Sequence, residues 1–157
     1  MTSEFVHLHN HSDYSLLDGA QRIDQLVNTI DDLNMDAVAL TEHGNMFSVL
    51  PYYKQAKNSG IKPIIGCEIY VAIGSRFEKK ARSDGGWGNN HLILLAQNFT
   101  GYRNLMKLVT AGYLEGFYYR PRIDMDLLRE YNEGLICMSA CLKGVVPEKM
   151  LKGDYNG

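Results

Sequence analysis

Cysteine is scarce in this chain of 157 residues, which has only Cys67, Cys137 and Cys141. An odd number of widely spaced cysteines does not build a disulfide framework, and it is typical of proteins from reducing compartments. The chain also lacks an apolar run long enough to cross a membrane and a secretory N-terminus, basic and then apolar. We therefore expect a cytoplasmic protein that does not bind a membrane.

Positive charge is not in excess either, because 16 lysines and arginines stand against 18 aspartates and glutamates. This balance excludes tight nucleic-acid binding over a broad basic surface, so any contact with DNA must be local or transient. The length suffices for one domain with a hydrophobic core. The last residues, 151–157, have no pattern that ends a domain, which indicates a piece of a longer chain.

The feature that stands out is a histidine-rich run in residues 5–18, with His7, His9 and His11 in alternate positions. In an extended strand, side chains two apart point the same way, so these rings would share one face. A single histidine on a strand is usually a satisfied polar or surface residue. Three together are harder to satisfy, because each buried ring needs partners for two nitrogens. Closely spaced imidazoles suit a divalent metal ion, and the pattern favours that interpretation.

Hydrophobic periodicity predicts alternating strands and helices along the chain. The predicted strands are 4–9, 37–41, 62–72, 91–96 and 134–141. The predicted helices are 21–33, one capped by Ser48, one capped by Thr100, one after the cap Asp124, and one at 144–151. Residues 74–90 are rich in glycine and polar residues, which predicts a long exposed insertion or flexible loop.

This alternation indicates an α/β fold with parallel strands joined by helical crossovers. An open doubly wound sheet and a closed barrel both remain compatible with it. No glycine-rich phosphate fingerprint follows the first strand, which weakens the dinucleotide-binding version of the open sheet.

Residues of the metal-binding types come at the ends of several predicted strands. His9 and His11 end the first strand, His43 the second, and Cys141 the fifth, while Glu68 lies within the third. In parallel barrels, the C-terminal strand ends form the site of chemistry. His91 precedes its strand, so on spacing alone it is left out.

Alternation also assigns the faces of these strands. His43 and Glu68 fall on small, polar sides, and the alternate residues of the same strands would contact helices. In the fifth strand the same count places Cys137 with Cys141, and Ile136 and Met138 on the helix-packed side. Cys67, next to Glu68 but on the opposite side, is expected in the core.

Several strings resemble a known family. Residues 8–12, Leu-His-Asn-His-Ser, are similar to the opening motif of PHP (polymerase and histidinol phosphatase) phosphoesterase domains. Longer strings resemble, more specifically, the PHP domains at the N-termini of bacterial replicative DNA polymerase III alpha subunits. They are 15–19, 41–47, 60–68, 101–106, 118–124 and 139–144. The resemblance extends over essentially the whole chain.

The resemblance implies a distorted (β/α)7 barrel that is truncated at its C-terminal end, with up to three divalent metal ions at its mouth. The ligands that it implies are His9, His11, Asp18, His43, Glu68, His91 and Cys141. Asp18 and His91 enter only through this resemblance, and His7 becomes a neighbour. Mixed imidazole, carboxylate and thiolate ligands favour Zn²⁺, with Mn²⁺ or Fe²⁺ as alternatives. A final Asp-x-His motif of the family would come after residue 157.

The activity implied is metal-assisted phosphodiester hydrolysis, with a 3′–5′ exonuclease role in proofreading during DNA replication. The partners implied are the primer 3′ end, the remaining polymerase domains and other replisome subunits. One alternative is a non-catalytic scaffold domain that stabilises the polymerase, and another is a histidinol-phosphate-type phosphatase. For residues 117–122, aromatic and basic, packed rings with solvated arginines are favoured over DNA contact. Lys143 is read as a solvated lysine.

Overall fold

The computed structural model describes residues 5–80 and 88–155. Across these residues the elements are α1 (Ile23–Asp32), β1 (Ala37–Leu40), α2 (Val49–Asn58), β2 (Lys62–Ala72), β3 (Asn89–Ala96), α3 (Phe99–Leu114), β4 (Arg122–Ile123), α4 (Met125–Glu130), β5 (Leu135–Met138) and α5 (Val145–Leu151). The predicted order of helices and strands from residue 21 onwards is confirmed except for the short β4, which was not predicted. In the same residues, none of the helices has the length and apolar character needed to cross a membrane.

The strands form one mixed sheet in the order β1-β2-β3-β5, and the short β4 pairs with β2. β2 is parallel to β1 and β4, whereas β3 is antiparallel to both of its neighbours, β2 and β5. The expectation of wholly parallel strands was therefore wrong at β3. The described part of the β2–β3 connection contains no helix, and a strand that returns without a crossover pairs antiparallel. Within the described residues the sheet is open and does not close into a barrel.

Helices cover one face of this sheet in two groups. α1 and α2 pack on β1 through Leu26, Val27, Ile30, Val38, Leu40, Tyr52, Ala56 and Ile61. α3 and α4 pack on β2 and β3 through Cys67, Ile69, Val71, Leu94, Leu105, Leu108, Ile123, Leu127 and Leu128. The helix-facing sides predicted for β1 and β2 are confirmed, and Cys67 is a fully buried core residue as expected.

The faces predicted for β5 were wrong. β5 pairs with β3 so that Met138 lies opposite Ile93 and Cys137 lies opposite Leu94. Paired residues on neighbouring strands point to the same face, so Cys137 lies on the helix-packed face and Met138 on the other. Met138 accordingly packs with Ile93 and Ala39. The prediction assumed that alternation continues unbroken from Cys137 to Cys141. It does not, because the chain turns after β5 at Ala140, whose φ is +60°.

The first predicted strand is not formed in the described residues, although residues 7–10 lie alongside β1. The Ala39 N–H donates to the His7 carbonyl (2.8 Å) and the Thr41 N–H donates to the Asn10 carbonyl (2.9 Å). These bonds place the segment as an irregular neighbour of β1. The sequence pattern therefore predicted correctly an extended segment that pairs with the sheet, but wrongly that this segment is a regular β-strand.

One predicted helix cap, Thr100, was wrong, and another, Ser48, has the predicted position before α2 but makes no capping hydrogen bond. The Ser48 hydroxyl is buried and has no hydrogen-bond partner among the described residues. α3 begins after Asn98, whose side chain accepts a hydrogen bond from the Gly101 N–H (3.0 Å), so Thr100 lies inside its first turn. Asp124 does cap α4 by accepting a bond from the Leu127 N–H (3.0 Å).

The beginning of the predicted insertion is anchored to the fold. Arg76 is 16% exposed and forms an ion pair with Asp124 (3.0 Å) and another with Glu115 (2.6 Å). Lys79 donates to the carbonyls of Glu115 (2.7 Å) and Phe117 (2.8 Å). Residues 81–87 of the insertion lie outside the described residues.

The aromatic and basic segment 117–122 is arranged in the opposite way to the favoured interpretation. Arg122 is 2% exposed and donates to the carbonyls of Gly116 (3.0 Å) and Glu78 (3.0 Å). Phe117 and Tyr119, in contrast, are 50% and 69% exposed. A buried guanidinium is tolerated here because backbone carbonyls accept its N–H groups.

Candidate metal centre

His43 and Glu68 meet because the pairing of β1 with β2 continues beyond the last residue of β1. The Glu68 N–H donates to the Glu42 carbonyl (3.0 Å), and the Gly44 N–H donates to the Glu68 carbonyl (2.8 Å). These bonds make His43 and Glu68 a bridge pair, so their side chains point to the same face. Nδ1 of His43 lies 3.7 Å from Oε2 of Glu68.

His9 and His11 reach the same carboxylate from the segment that lies alongside β1. Asn10, between them, is held by Thr41, whose Oγ1 accepts the Asn10 N–H (3.1 Å). The two rings lie on either side of this anchor. Nε2 of His9 is 2.6 Å and Nε2 of His11 is 3.0 Å from Oε2 of Glu68.

His91 also lies against Glu68, although it stands at the beginning of its strand. Because β3 runs antiparallel to β2, its first residues lie at the sheet edge where β1 ends. His91 pairs with Tyr70 and points to the same face as Glu68, with Nδ1 2.5 Å from Oε1. Spacing alone missed His91 because it assumed that every strand runs in the same direction.

Asp18 and Cys141 each contact one histidine of this cluster. Oδ2 of Asp18 lies 2.9 Å from Nε2 of His43. Sγ of Cys141 lies 3.7 Å from Nδ1 of His91, and the turn at Ala140 brings it there from the end of β5. Both are exposed, so they form the outer side of the cluster.

The seven sequence-predicted ligands are thus brought together, and five of them form two overlapping groups. One contains His9, His11 and Glu68, and the other contains His43, Glu68 and His91. Nε2 of His9 and Nε2 of His11 are 3.0 Å apart. Two nitrogens bound to one tetrahedral zinc ion at about 2.1 Å would be about 3.4 Å apart, so the spacing fits a shared ion. His7 is exposed, and its ring contacts Phe5 (centroids 4.8 Å apart).

Two ring nitrogens in this cluster are buried without a hydrogen-bond partner among the described residues. They are Nδ1 of His11 and Nδ1 of His43. The two rings stack with centroids 4.0 Å apart. A buried polar atom without a partner is costly, whereas a neutral imidazole nitrogen is a normal ligand of a divalent ion. The donor set and these two nitrogens therefore fit a metal ion.

The charges in the cluster depend on each other. Burial disfavours the Glu68 carboxylate, but hydrogen bonds from His11, His91 and His9 outweigh it and hold the pKa of Glu68 well below its usual range. Burial also opposes the charged form of His11, but Glu68 outweighs burial and raises the pKa of His11. For His43, burial dominates and lowers its pKa. The carboxylate therefore stays ionised and ready to bind a cation.

Glu42 is a functional candidate that sequence reasoning missed. Its carboxylate is 1% exposed and accepts bonds from the Ser12 N–H (3.1 Å) and from the hydroxyls of Ser12 and Ser15 (2.5 Å for Ser15). The Ser15 hydroxyl in turn accepts the His43 N–H (3.0 Å). Glu42 thus ties the turn after His11 to the backbone of His43. The only available signal was its place beside His43, which does not reveal a partner.

A cavity of about 1110 Å³ opens beside the cluster. Asp18, His43 and His91 line it, together with two cationic side chains, Arg120 and Lys143. The Arg120 guanidinium lies over the Tyr70 ring, 5.6 Å from its centroid. Lys143 is exposed on the wall, in agreement with a solvated lysine. The cavity gives a substrate access to His43 and His91 and places Arg120 and Lys143 beside them.

Comparison with protein families identifies a match to the model described as PHP domain over residues 7–157. Among curated relatives, the DNA polymerase III subunit alpha of Borreliella burgdorferi is 56% identical over 153 residues. The subunit alpha of Aquifex aeolicus is 51% identical over 149 residues, and that of Thermus aquaticus is 46% identical over 151. These alignments span 98%, 92% and 95% of the present chain but only 13%, 13% and 12% of the relatives.

Similar solved structures include an amidohydrolase from Chromobacterium violaceum, at 20% identity and a TM-score of 0.48. That similarity covers 68% of the present chain and 32% of the other.

Proposed function

The chain belongs to the PHP domain family, and on this premise we propose that it is the N-terminal part of a DNA polymerase III alpha subunit and hydrolyses phosphodiester bonds with bound divalent metal ions. The observation that carries the proposal is the convergence of four imidazoles on one buried carboxylate. His9, His11, His43 and His91 all lie within 3.7 Å of Glu68 oxygens.

Each predicted ligand has a position that supports a role in holding metal. Glu68 belongs to both groups, so it would help to hold one ion together with His9 and His11 and another together with His43 and His91. Asp18, which lines the cavity, extends the set beside His43, and Cys141 extends it beside His91. Imidazole, carboxylate and thiolate together favour Zn²⁺, with Mn²⁺ or Fe²⁺ as alternatives. When bound, such ions activate water and stabilise the charge that develops on a phosphoryl group.

The protein's own side chains would bind and orient the substrate. Arg120 and Lys143 line the cavity that leads to the cluster, and cations there attract phosphate oxygens. Arg120 is held in place by the Tyr70 ring, which limits the freedom of its guanidinium. Glu42, through Ser15, holds the backbone of His43. The proposal requires no side chain as a general acid or base.

In the complete protein, the proposed substrate is the 3′ end of a DNA primer, and the proposed role is 3′–5′ exonucleolytic proofreading in the cytoplasm. The remaining polymerase domains and other replisome subunits are the proposed partners. We further propose that the open sheet is part of a distorted (β/α)7 barrel that later residues complete.

The test is metal analysis of the complete protein that contains this chain, followed by hydrolysis assays. We expect bound metal and release of nucleotides from a primed DNA 3′ end. Glu68→Gln should reduce metal affinity at least tenfold for both groups, because both use this carboxylate. His9→Ala and His43→Ala should each deplete one group only. His7→Ala is the matched control and should keep full metal content, since its ring lies outside both groups.

Different failures point to different alternatives. Wild-type protein without metal at neutral pH would contradict the proposal and favour the scaffold function. Hydrolysis of a small phosphate monoester but not of primed DNA would instead favour the histidinol-phosphate type of activity.

A further inference from the structure

We propose that three exposed aromatic side chains beside the metal centre form a stacking surface for the unpaired bases of single-stranded DNA. The residues are Phe47, Tyr113 and Phe117, and we call them the aromatic strip. The inference rests on the proposed function, since it names what the phosphodiester at the metal centre is attached to. It makes single-stranded DNA, and not a small phosphate ester, the preferred substrate.

The rings of the aromatic strip are neighbours, although they come from different parts of the chain. Phe47 precedes α2, Tyr113 lies in the last turn of α3, and Phe117 follows α3. The ring centroids of Phe47 and Tyr113 are 6.2 Å apart, and so are those of Tyr113 and Phe117. The strip is therefore a continuous aromatic surface built by the tertiary structure.

These rings are left in contact with solvent. Phe47 is 66% exposed, Tyr113 is 38% exposed and Phe117 is 50% exposed. Single exposed aromatic residues are common, but a contiguous apolar surface marks a binding site. The turn that presents Phe47 is also fixed, because Asn45 accepts the Phe47 N–H (3.1 Å) and donates to the His43 carbonyl (3.2 Å). The position of Phe47 is thereby coupled to the backbone of a metal-centre histidine.

Two of the three rings of the aromatic strip lie in the cavity of the metal centre, and Phe117 continues the strip outside it. Phe47 and Tyr113 line the same cavity as His43 and His91. Its volume of about 1110 Å³ is at the large end of ligand pockets, which span about 300–1000 Å³. A strand end with its last phosphodiester at the histidines would therefore have room to place further bases against the rings.

The charges on the cavity walls are compatible with single-stranded DNA that contacts the protein only at this cavity. Arg120 and Lys143 offer two cations near the histidines, where phosphates would pass. The acidic residues on the walls are Asp13, Asp18 and Glu148. Asp18 is paired with His43, and Glu148 is bonded to Asn90 and Lys152 (2.5 and 2.6 Å). Aromatic faces combined with a few cations are how proteins bind unpaired nucleic acid without sequence preference.

The test measures the affinity of the complete protein for a labelled oligothymidylate with phosphorothioate linkages, which resist hydrolysis, by fluorescence anisotropy. Phe47→Ala and Tyr113→Ala should each weaken binding about tenfold, the expected loss for one stacked base. Phe47→Trp, unlike Phe47→Ala, should keep the wild-type affinity, because it retains an aromatic face for stacking. An abasic strand should bind wild-type protein more weakly, and Phe47→Ala should weaken it no further.

Phe99→Ala is the matched control, because Phe99 is 73% exposed and lies outside the cavity lining, at the start of α3. It should not change the affinity for the strand. Unchanged affinity in both Phe47→Ala and Tyr113→Ala would overturn the inference. A lowered melting temperature with unchanged affinity would also overturn it, and would identify the strip as a contact with another part of the complete protein.

The proposed function fails separately from this inference. Wild-type protein that cleaves neither bis(p-nitrophenyl) phosphate nor a normal DNA strand would contradict the hydrolytic proposal, while the anisotropy comparison still decides on stacking. Wild-type protein that cleaves both, with no preference for the strand, would keep the hydrolytic function and overturn the inference.

Discussion

At the scale of single residues, the buried carboxylate of Glu68 organises the site. Its two oxygens lie against four histidines that come from three separate parts of the chain. An ionised carboxylate is expensive to bury unless cations or hydrogen-bond donors surround it. The histidines meet that requirement without metal, and a bound ion would meet it better. Replacing Glu68 therefore affects every histidine at once.

Glu42 is buried behind the metal-centre residues and holds their backbone in place. We predict that Glu42→Gln lowers both the stability of the fold and the affinity for metal. The Ser12 and Ser15 hydroxyls donate to different oxygens of Glu42, and the amide would replace one of these oxygens with an NH₂ donor. One of the two hydroxyls would therefore lose its buried acceptor. We expect a loss of about 1–3 kcal/mol in the free energy of unfolding, with weaker metal binding. Urea unfolding and metal titration measure the two effects.

The exposed Glu133 provides the control for this prediction, since Glu133→Gln should change neither quantity. If Glu42→Gln were as stable as the wild type and bound metal equally well, the positioning role of Glu42 would be wrong.

At the scale of elements, local interactions determine where a helix begins, as two helix caps show. Distant interactions determine the direction of a strand, as the reversed β3 shows. The periodicity of β2 was readable from its β-branched residues, and Asp124 was readable as a cap. The direction of β3 was not readable, because strand direction depends on which neighbour the chain meets after residue 73. Strand spacing therefore excluded His91 from the site, whereas the structure places it against Glu68.

The cap of α3 gives a direct test of an element boundary. We predict that Asn98→Ala lowers the free energy of unfolding by about 1 kcal/mol, because the Gly101 N–H loses its side-chain acceptor. Thr100→Ala should have a smaller effect, since Thr100 lies inside the helix. Chemical unfolding of both variants measures the difference. A larger loss for Thr100→Ala would contradict the observed helix start.

The cap of α4 predicts a pH dependence. Burial raises the pKa of Asp124, but hydrogen bonds from the Arg76 and Leu127 N–H groups and the Arg76 guanidinium outweigh it, so the pKa is lowered. A lowered pKa in the folded state stabilises the protein above the unfolded value, about 3.9. That stabilisation is lost as the pH falls through the folded value.

Asp124→Asn should therefore destabilise the protein by about 2–3 kcal/mol at pH 7, where it breaks the ion pair with the largely buried Arg76. The difference from wild type should begin to shrink as the pH falls below about 4. It should vanish only below the lowered pKa of the folded carboxyl, where the wild-type group is also neutral. Unfolding curves across this range measure it. Asp126→Asn, at an exposed position, should show no such pH dependence, and a constant difference for Asp124→Asn would contradict the assignment.

At the scale of the whole molecule, the proposed metal ions would tie β1, β2, β3 and the N-terminal segment together. Because the cluster uses residues far apart in the sequence, metal should bind the folded state in preference to the unfolded chain. We predict that Zn²⁺ at a hundred times its dissociation constant raises the free energy of unfolding by about 2.7 kcal/mol.

Thermal unfolding with and without a chelator measures this effect on the complete protein. Glu68→Gln should show little metal-dependent stabilisation, and His7→Ala should behave as wild type. Equal melting temperatures for wild type with Zn²⁺ and with chelator would contradict metal binding at this centre.

The sequence by itself determined the local features of this protein. Periodicity was sufficient for α1, β1 and β2, and alternation placed His43 and Glu68 on the polar sides of their own strands and Cys67 on the core side. The polar residue before a helix identified the Asp124 cap. These features depend on neighbours within a few positions along the chain, where backbone geometry alone sets which side chains share a face.

Only the tertiary structure decided the rest. The reversal of β3 placed His91 against Glu68, the pairing of β5 with β3 put Cys137 on the helix side, and carbonyls from two loops buried Arg122. Each of these outcomes depends on hydrogen bonds between residues that are distant in the sequence. Such contacts form only when the path of the connecting chain brings particular strands together, and no local pattern records that path.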